Sequence, residues 1–321
     1  MSTTPIEWAT HVLNAFTGCD RVSAGCARCY AIPTAAANQR KELGRERKAL
    51  ERGRPAPRRR YYTDGDPRTS GPGFGFAVHW DKLYRPPRFP AGARVFVNSM
   101  SDVFHEDAPI EALVALWSLF ASRPDVTWIV LTKREQRMHD VLCSWRDAAQ
   151  TRAVNRVPGA IELADSEAEY WRWWTDGLAN VWLGVTIENR AFLRRADVLR
   201  ETPAAVRVIS AEPLLGPLVA HHHTTPGNWW WHRGELVDRG DAPGLDLTGI
   251  DWLIVGGESG KGHRRLDLRW MRDLRDACAD AGTAYFVKQL GGDRAGNALE
   301  GLPSDLQIRA FPATSTRELV R

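Results

Sequence analysis

Three of the chain's five cysteines fall within the stretch Gly18-Cys19-Asp20-Arg21-Val22-Ser23-Ala24-Gly25-Cys26-Ala27-Arg28-Cys29-Tyr30, with spacing C-x6-C-x2-C. Thiolates confined to one short loop repel each other unless a positive centre lies between them, and a coordinated thiol is deprotonated outright. The number of ligands narrows the chemistry. A closed structural zinc site takes four protein ligands, whereas an iron–sulfur cluster on three thiolates leaves one iron open to a substrate or cofactor. Two readings follow. In one, Cys19, Cys26 and Cys29 carry a cluster with a vacant position. In the other, His11 upstream completes a Cys3His zinc site on a nucleic-acid-interaction protein. Cys143 and Cys278 lie in helix-like stretches, where a cysteine acts as a small buried hydrophobe. An odd cysteine count with three bunched is not a disulfide framework.

The elements that would position the cysteine loop are legible after Arg94. Six short apolar runs follow, rich in β-branched residues: Val95-Phe96-Val97, Trp128-Ile129-Val130-Leu131, Val181-Trp182-Leu183-Gly184-Val185, Val206-Arg207-Val208-Ile209, Trp252-Leu253-Ile254-Val255 and Ala284-Tyr285-Phe286-Val287. Amphipathic stretches separate them, at Ile110–Ala121, Arg190–Glu201 and Leu268–Ala281. Apolar strands alternating with helices predict an α/β fold, a partial or complete parallel (β/α) barrel of the TIM type. Met1 to Phe16 supplies a short first strand leading into the cysteines, and Ala31 to about Leu50 reads as a helix.

Each run hands over to polar residues: Asn98-Ser99-Met100-Ser101-Asp102, Thr132-Lys133-Arg134, Thr186-Ile187-Glu188-Asn189, Ser210-Ala211-Glu212-Pro213, Gly256-Gly257-Glu258-Ser259 and Lys288-Gln289. Such residues also cap helices. Six polar strand ends in series, at the face where parallel barrels build their sites, predict an active site. No Ser-His-Asp set, paired carboxylates or phosphate-binding glycine loop stands out to support a barrel enzyme independent of the cysteines.

One domain over 1–321 is expected, with insertions at about 40–90, 143–179 and 218–250. The first is arginine-rich between 40 and 60, then rich in Gly, Pro and Asp to Phe76, and reads as exposed and partly irregular. Its arginines suit phosphate, so nucleic acid is an expected partner. The second holds Tyr170-Trp171-Arg172-Trp173-Trp174, the third His221-His222-His223 and Trp229-Trp230-Trp231-His232. These aromatics suit base stacking or a satellite core, and three adjacent histidines cannot all face one ion. Net charge is only +4, so any basic surface comes from local clustering. With no signal-peptide-like opening and no bilayer-length apolar run, a cytoplasmic protein without a membrane partner is expected.

In this order, GC-x6-C-x2-CYA, VFVNSMSDVFHE, WIVLTKR, VWLGVTIEN, VISAEPLLGP, WLIVGGESG and YFVKQLGG closely resemble the bacteriophage-associated three-cysteine-motif family. That family in turn resembles a divergent branch of the radical S-adenosylmethionine (SAM) superfamily. The resemblance implies a 4Fe–4S cluster on Cys19, Cys26 and Cys29, SAM on the open iron, an electron donor, and a 5′-deoxyadenosyl radical that abstracts hydrogen from a substrate to modify or repair it. It places Ser99, Ser101 and Asp102 near the SAM amine, Glu188 or Asn189 near the ribose, and Gly256 and Gly257 in the cofactor-binding set. Lys133, Glu212, Glu258 and Lys288 are left as the catalytic candidates on the substrate side. The sequence departs from the superfamily's C-x3-C-x2-C spacing, and its Gly-Gly-Glu triplet ends a late run rather than the second.

Overall fold

A computed structural model of the chain describes residues 4–55, 61–150, 176–219, 229–232, 235–238, 244–292, 299 and 301–313. All six apolar runs form strands, because β-branched and aromatic side chains suit a pleated surface buried on both faces. In chain order the elements are β1 (His11–Leu13), β2 (Phe16–Thr17), α1 (Ala31–Glu51), β3 (Ala77–Val78), α2 (Trp80–Tyr84), β4 (Arg94–Val97), α3 (Ile110–Ala121), β5 (Thr127–Thr132) and α4 (Glu135–Gln150). They continue with β6 (Val181–Thr186), α5 (Arg194–Glu201), β7 (Val206–Ala211), β8 (Trp229–His232), β9 (Glu235–Asp238), β10 (Trp252–Gly256), α6 (Leu268–Ala281) and β11 (Ala284–Gln289).

The main sheet has seven strands in the order β1-β4-β5-β6-β7-β10-β11. Its parallel pairings and alternating helices are those of the α/β, partial (β/α)-barrel class expected from the sequence. The chain forms two units, Met1–Val185 with Glu201–Arg207, and Thr186–Arg200 with Val208–Arg321. In the first, β1, β4, β5 and β6 pair in parallel, and α3 packs its apolar stripe (Leu113, Leu116, Phe120) into the core. There Phe120 stacks on the fully buried Trp128 with ring centroids 4.9 Å apart. In the second, β10 is buried along its whole length between β7 and β11. Met271, Leu274 and Cys278 of α6 are buried in that unit.

Residues 61–76 were expected to be exposed, yet Ser70 and Phe74 are buried. Glycines let this segment lie close against the cysteine loop, and composition alone does not reveal that contact. The Tyr170–Trp174 and His221–His223 clusters, and Arg58–Arg60, lie outside the described residues. β8 and β9 pair antiparallel. Among the described residues no helix is long and apolar enough to cross a membrane.

Candidate metal centre

The cysteine loop starts at the carboxyl end of β2, where the backbone must turn sharply under a neighbouring segment. Gly18 makes that turn at φ +83°, and a Cβ there would lie 2.0 Å from the Gly75 carbonyl oxygen. Its amide donates to Met100 O (2.9 Å), and its carbonyl accepts the Ser101 hydroxyl (2.6 Å). The Cys19 amide donates to Phe74 O at 3.3 Å. The loop is thus held between residues 73–76 and the chain leaving β4. At the end of β4, Asn98 adopts φ +60° and its Oδ1 accepts the Phe16 amide at 2.9 Å.

Cys26 sits on a short 3-10 turn, Ala24–Arg28, and Cys29 comes two residues before α1. Cys19 and Cys29 pack against a small apolar cluster of Ala31, Ala35, Phe74 and Met100. Burial pushes the Cys19 thiol up to about 12, reinforced by Asp102 and opposed by Arg134. Burial also raises Cys29, while the Ala31 and Ile32 amides at the start of α1, and Lys133, pull it down. Among the described residues no three His, Cys, Asp or Glu side chains stand ready-grouped around a point. The donor set nevertheless fits a three-thiolate group. It has three soft sulfurs on one loop, backbone amides at one sulfur, and a guanidinium at another.

That guanidinium belongs to Arg134, at the carboxyl end of β5. Its Nη1 lies 3.3 Å from Cys19 Sγ and 3.4 Å from Asp102 Oδ2, and its Nη2 donates to Asp20 O at 3.3 Å. Asp102 is buried and accepts from the Phe104 amide (2.9 Å), the Thr132 hydroxyl (2.6 Å) and the Lys133 amide (2.9 Å). These bonds tie the ends of β4 and β5 together and hold the arginine fork against the sulfur. The Ser99 hydroxyl meets Asn14 Oδ1 at 3.2 Å, while Ser99 O accepts Tyr30 OH at 2.7 Å. Tyr30 thus ties the segment after Cys29 back to the end of β4.

Below the loop, Asp20 accepts from Thr69 and Ser70 and lies 3.3 Å from His105 Nε2. Burial works to raise the Asp20 carboxyl, but these hydroxyls and His105 outweigh it and leave it below the usual range. Burial, then Arg134, lowers His105, which stacks on Phe76 at 4.4 Å. The Asp107 amide donates to His105 Nδ1 at 3.2 Å, so the neutral ring carries its proton on Nε2, facing Asp20. Arg134, Asp20 and His105 were missed as site residues. The signals in the sequence were the Arg ending Thr132-Lys133-Arg134, the Asp beside Cys19 and the His near the end of VFVNSMSDVFHE.

His11 is not directed at the thiols. Its ring packs edge-on to Phe89 (5.7 Å), and Nδ1 contacts Thr10 Oγ1 at 2.9 Å.

The remaining candidates belong to the second unit, where they are paired. Glu188 is fully buried 3.0 Å from Arg195 Nη1. Asn189 Oδ1 accepts the Ala191 amide and caps the short turn that follows. Glu258 forms a two-pronged pair with Arg264. Glu212 Oε1 lies 3.0 Å from Lys288 Nζ, and both side chains reach solvent in part. Gly256 runs past that carboxylate, with a Cβ 2.6 Å from Glu212 Oε1 were one present. At Gly257 a Cβ would strike the Leu290 carbonyl oxygen at 1.8 Å. Three strand ends in this unit therefore carry neutralised carboxylate–cation pairs.

A protein family of unknown function (DUF5131) matches residues 3–311, and the chain belongs to this family. No curated protein matches the chain. Among solved structures it is similar to spore photoproduct lyase complexed with dinucleoside spore photoproduct, at 12% identity and TM-score 0.37. A double mutant of that lyase with bound AdoMet and dinucleoside spore photoproduct is also similar, at 14% identity and TM-score 0.35. In both cases 87% of this chain is covered, and the chain spans 64% of the lyase.

Proposed function

We propose that this protein is an iron–sulfur enzyme of the radical SAM type, with Cys19, Cys26 and Cys29 as ligands of a 4Fe–4S cluster. The supporting observation is the environment of the three cysteines. They share one loop at the carboxyl end of a parallel sheet, with the α1 amides at Cys29 and the Arg134 guanidinium at Cys19. These donors pull toward thiolate and oppose the burial that raises both thiols in the metal-free loop. The absence of His11 from the loop speaks for an open fourth position over a Cys3His zinc site. When bound, the cluster supplies the electron for reductive cleavage of SAM.

The chain's own residues do the rest. Arg134 holds the Cys19 sulfur and partly neutralises its charge, and Asp102 holds Arg134. Ser101 and Tyr30 fix the two ends of the loop to the segment after β4. Ser99 would take part in holding SAM, and Lys133 would stand on the substrate side. In the second unit, Glu212–Lys288 is the one of the three carboxylate–cation pairs in which both side chains reach solvent in part, and it would bind a polar group of a substrate.

Anaerobic purification followed by iron, acid-labile sulfide and zinc analysis tests the reading. About four irons with matching sulfide and a broad absorption near about 400 nm are expected, with 5′-deoxyadenosine released on reduction in the presence of SAM. Cys26→Ala should lose the iron, and Cys143→Ala should keep it. Stoichiometric zinc without sulfide would sink the proposal.

A further inference from the structure

α1 begins two residues after Cys29 and runs for 21 residues, about 31 Å. Its first turns pack through Ala31 and Ala35, but from Arg40 onward none of its residues is buried. Lys41, Arg45, Lys48 and Arg52 follow one another at i, i+4, i+7 and i+11, and all four are exposed. At about 100° per residue they share a strip about 60° wide and about 16 Å long.

The neighbouring acids lie off this strip. Glu42 sits about 90° round the helix and accepts the Tyr61 amide at 3.2 and 3.3 Å. Glu46 is further round on the same side. Glu51 sits about 90° the other way, 3.6 Å from Arg47. Among the described residues, no ion pair engages the four cations of the strip.

We propose that this strip is a docking surface for the phosphate backbone of a nucleic acid. Cations recurring at axial steps of about 4.5 and 6 Å, on long flexible stems, can reach successive phosphates of one strand. A lipid-surface helix would need its apolar face bordered by the basic residues. Here the exposed Leu43 and Leu50 lie on the side opposite the strip. The proposal does not rest on the cluster, because the strip is complete in the chain itself.

Fluorescence anisotropy of a labelled, mixed-sequence 20-nucleotide single strand, with metal-free protein, tests it. Four phosphate contacts predict a log K against log salt slope of about −3. The variant Lys41→Gln/Arg45→Gln/Lys48→Gln/Arg52→Gln should bind at least about tenfold more weakly at about 50 mM salt and lose most of that slope. Arg40→Gln/Arg47→Gln, on the other side of the helix, should change neither. All six residues are exposed, so folding is not at risk, and circular dichroism checks it. Equal binding by the strip variant and wild type would overturn the proposal, as would an equal loss in the control. Phosphatidylserine-vesicle binding that depends on the strip while DNA binding does not would also overturn it and assign the strip to lipid.

Discussion

Arg134 and Asp102 set the charge around the Cys19 sulfur. Both are buried, and Cys19 senses them with opposite signs. Arg134→Gln removes the fork and leaves Asp102 as an uncompensated buried charge beside a sulfur that must ionise to bind metal. Breaking a buried pair in this way costs about 3–5 kcal/mol. Urea unfolding of the metal-free variant should show a loss of that order, and reconstituted iron per chain should fall well below wild type. Arg134→Lys keeps the charge but cannot serve Cys19, Asp102 and the Asp20 carbonyl together, so its iron retention should be intermediate. Wild-type stability and iron content in Arg134→Gln would show that the contact at 3.3 Å is incidental. Little of this was legible in the sequence. The cysteine spacing named the sulfurs, but the guanidinium arrives from 115 residues downstream through strand pairing. Asp102, expected near the amine of a cofactor, also anchors the arginine, and that second contact has no local signal in the sequence.

At the scale of elements, the six strands and the helices Ala31–Glu51, Ile110–Ala121 and Leu268–Ala281 were all legible, because apolar runs and amphipathic periods are local signals. The segment 61–76 was not. A Gly- and Asp-rich stretch looks the same in sequence whether it meets solvent or a neighbouring turn. What makes it a wall of the site is close backbone approach, and Gly18 is where the approach is tightest. Gly18→Ala would put a methyl into the Gly75 carbonyl at a left-handed φ, a combination with no strain-free arrangement. Such strain costs about 1–3 kcal/mol. Denaturant titration should show that loss, and proteolysis should open the loop before the sheet. Gly53 also has a positive φ, +64°, but has open space around the would-be Cβ, so Gly53→Ala should cost less. Equal losses at the two glycines would mean that φ alone, and not contact with residue 75, governs the loop.

Over the whole molecule the five cysteines divide in two, and that division has a consequence at high pH. Cys278 is buried in α6, where burial pushes its thiol up to about 12. Tyr285 on β11 is raised too, by burial first and then by Cys278, and its hydroxyl donates to Met271 O at 2.8 Å. Both groups are neutral in the fold, and both ionise more easily once unfolded. Below the unfolded thiol value of 9.0 neither state loses a proton, and the stability they contribute is intact. Above it the unfolded chain binds fewer protons than the folded one, so stability falls as pH rises toward 12, by up to about 1.4 kcal/mol per pH unit for each such group. Guanidinium titrations of metal-free protein from pH 8 upward should trace that decline. Cys278→Ala should make it shallower from pH 9 by one group's share, while the raised Cys19 and Cys29 thiols keep theirs, at the cost of a small cavity and a slightly lower stability at pH 8. A variant whose decline matches wild type would show that the buried thiol is not the group responsible. The fall would then belong to the tyrosine and to the thiols of Cys19 and Cys29, which burial also raises.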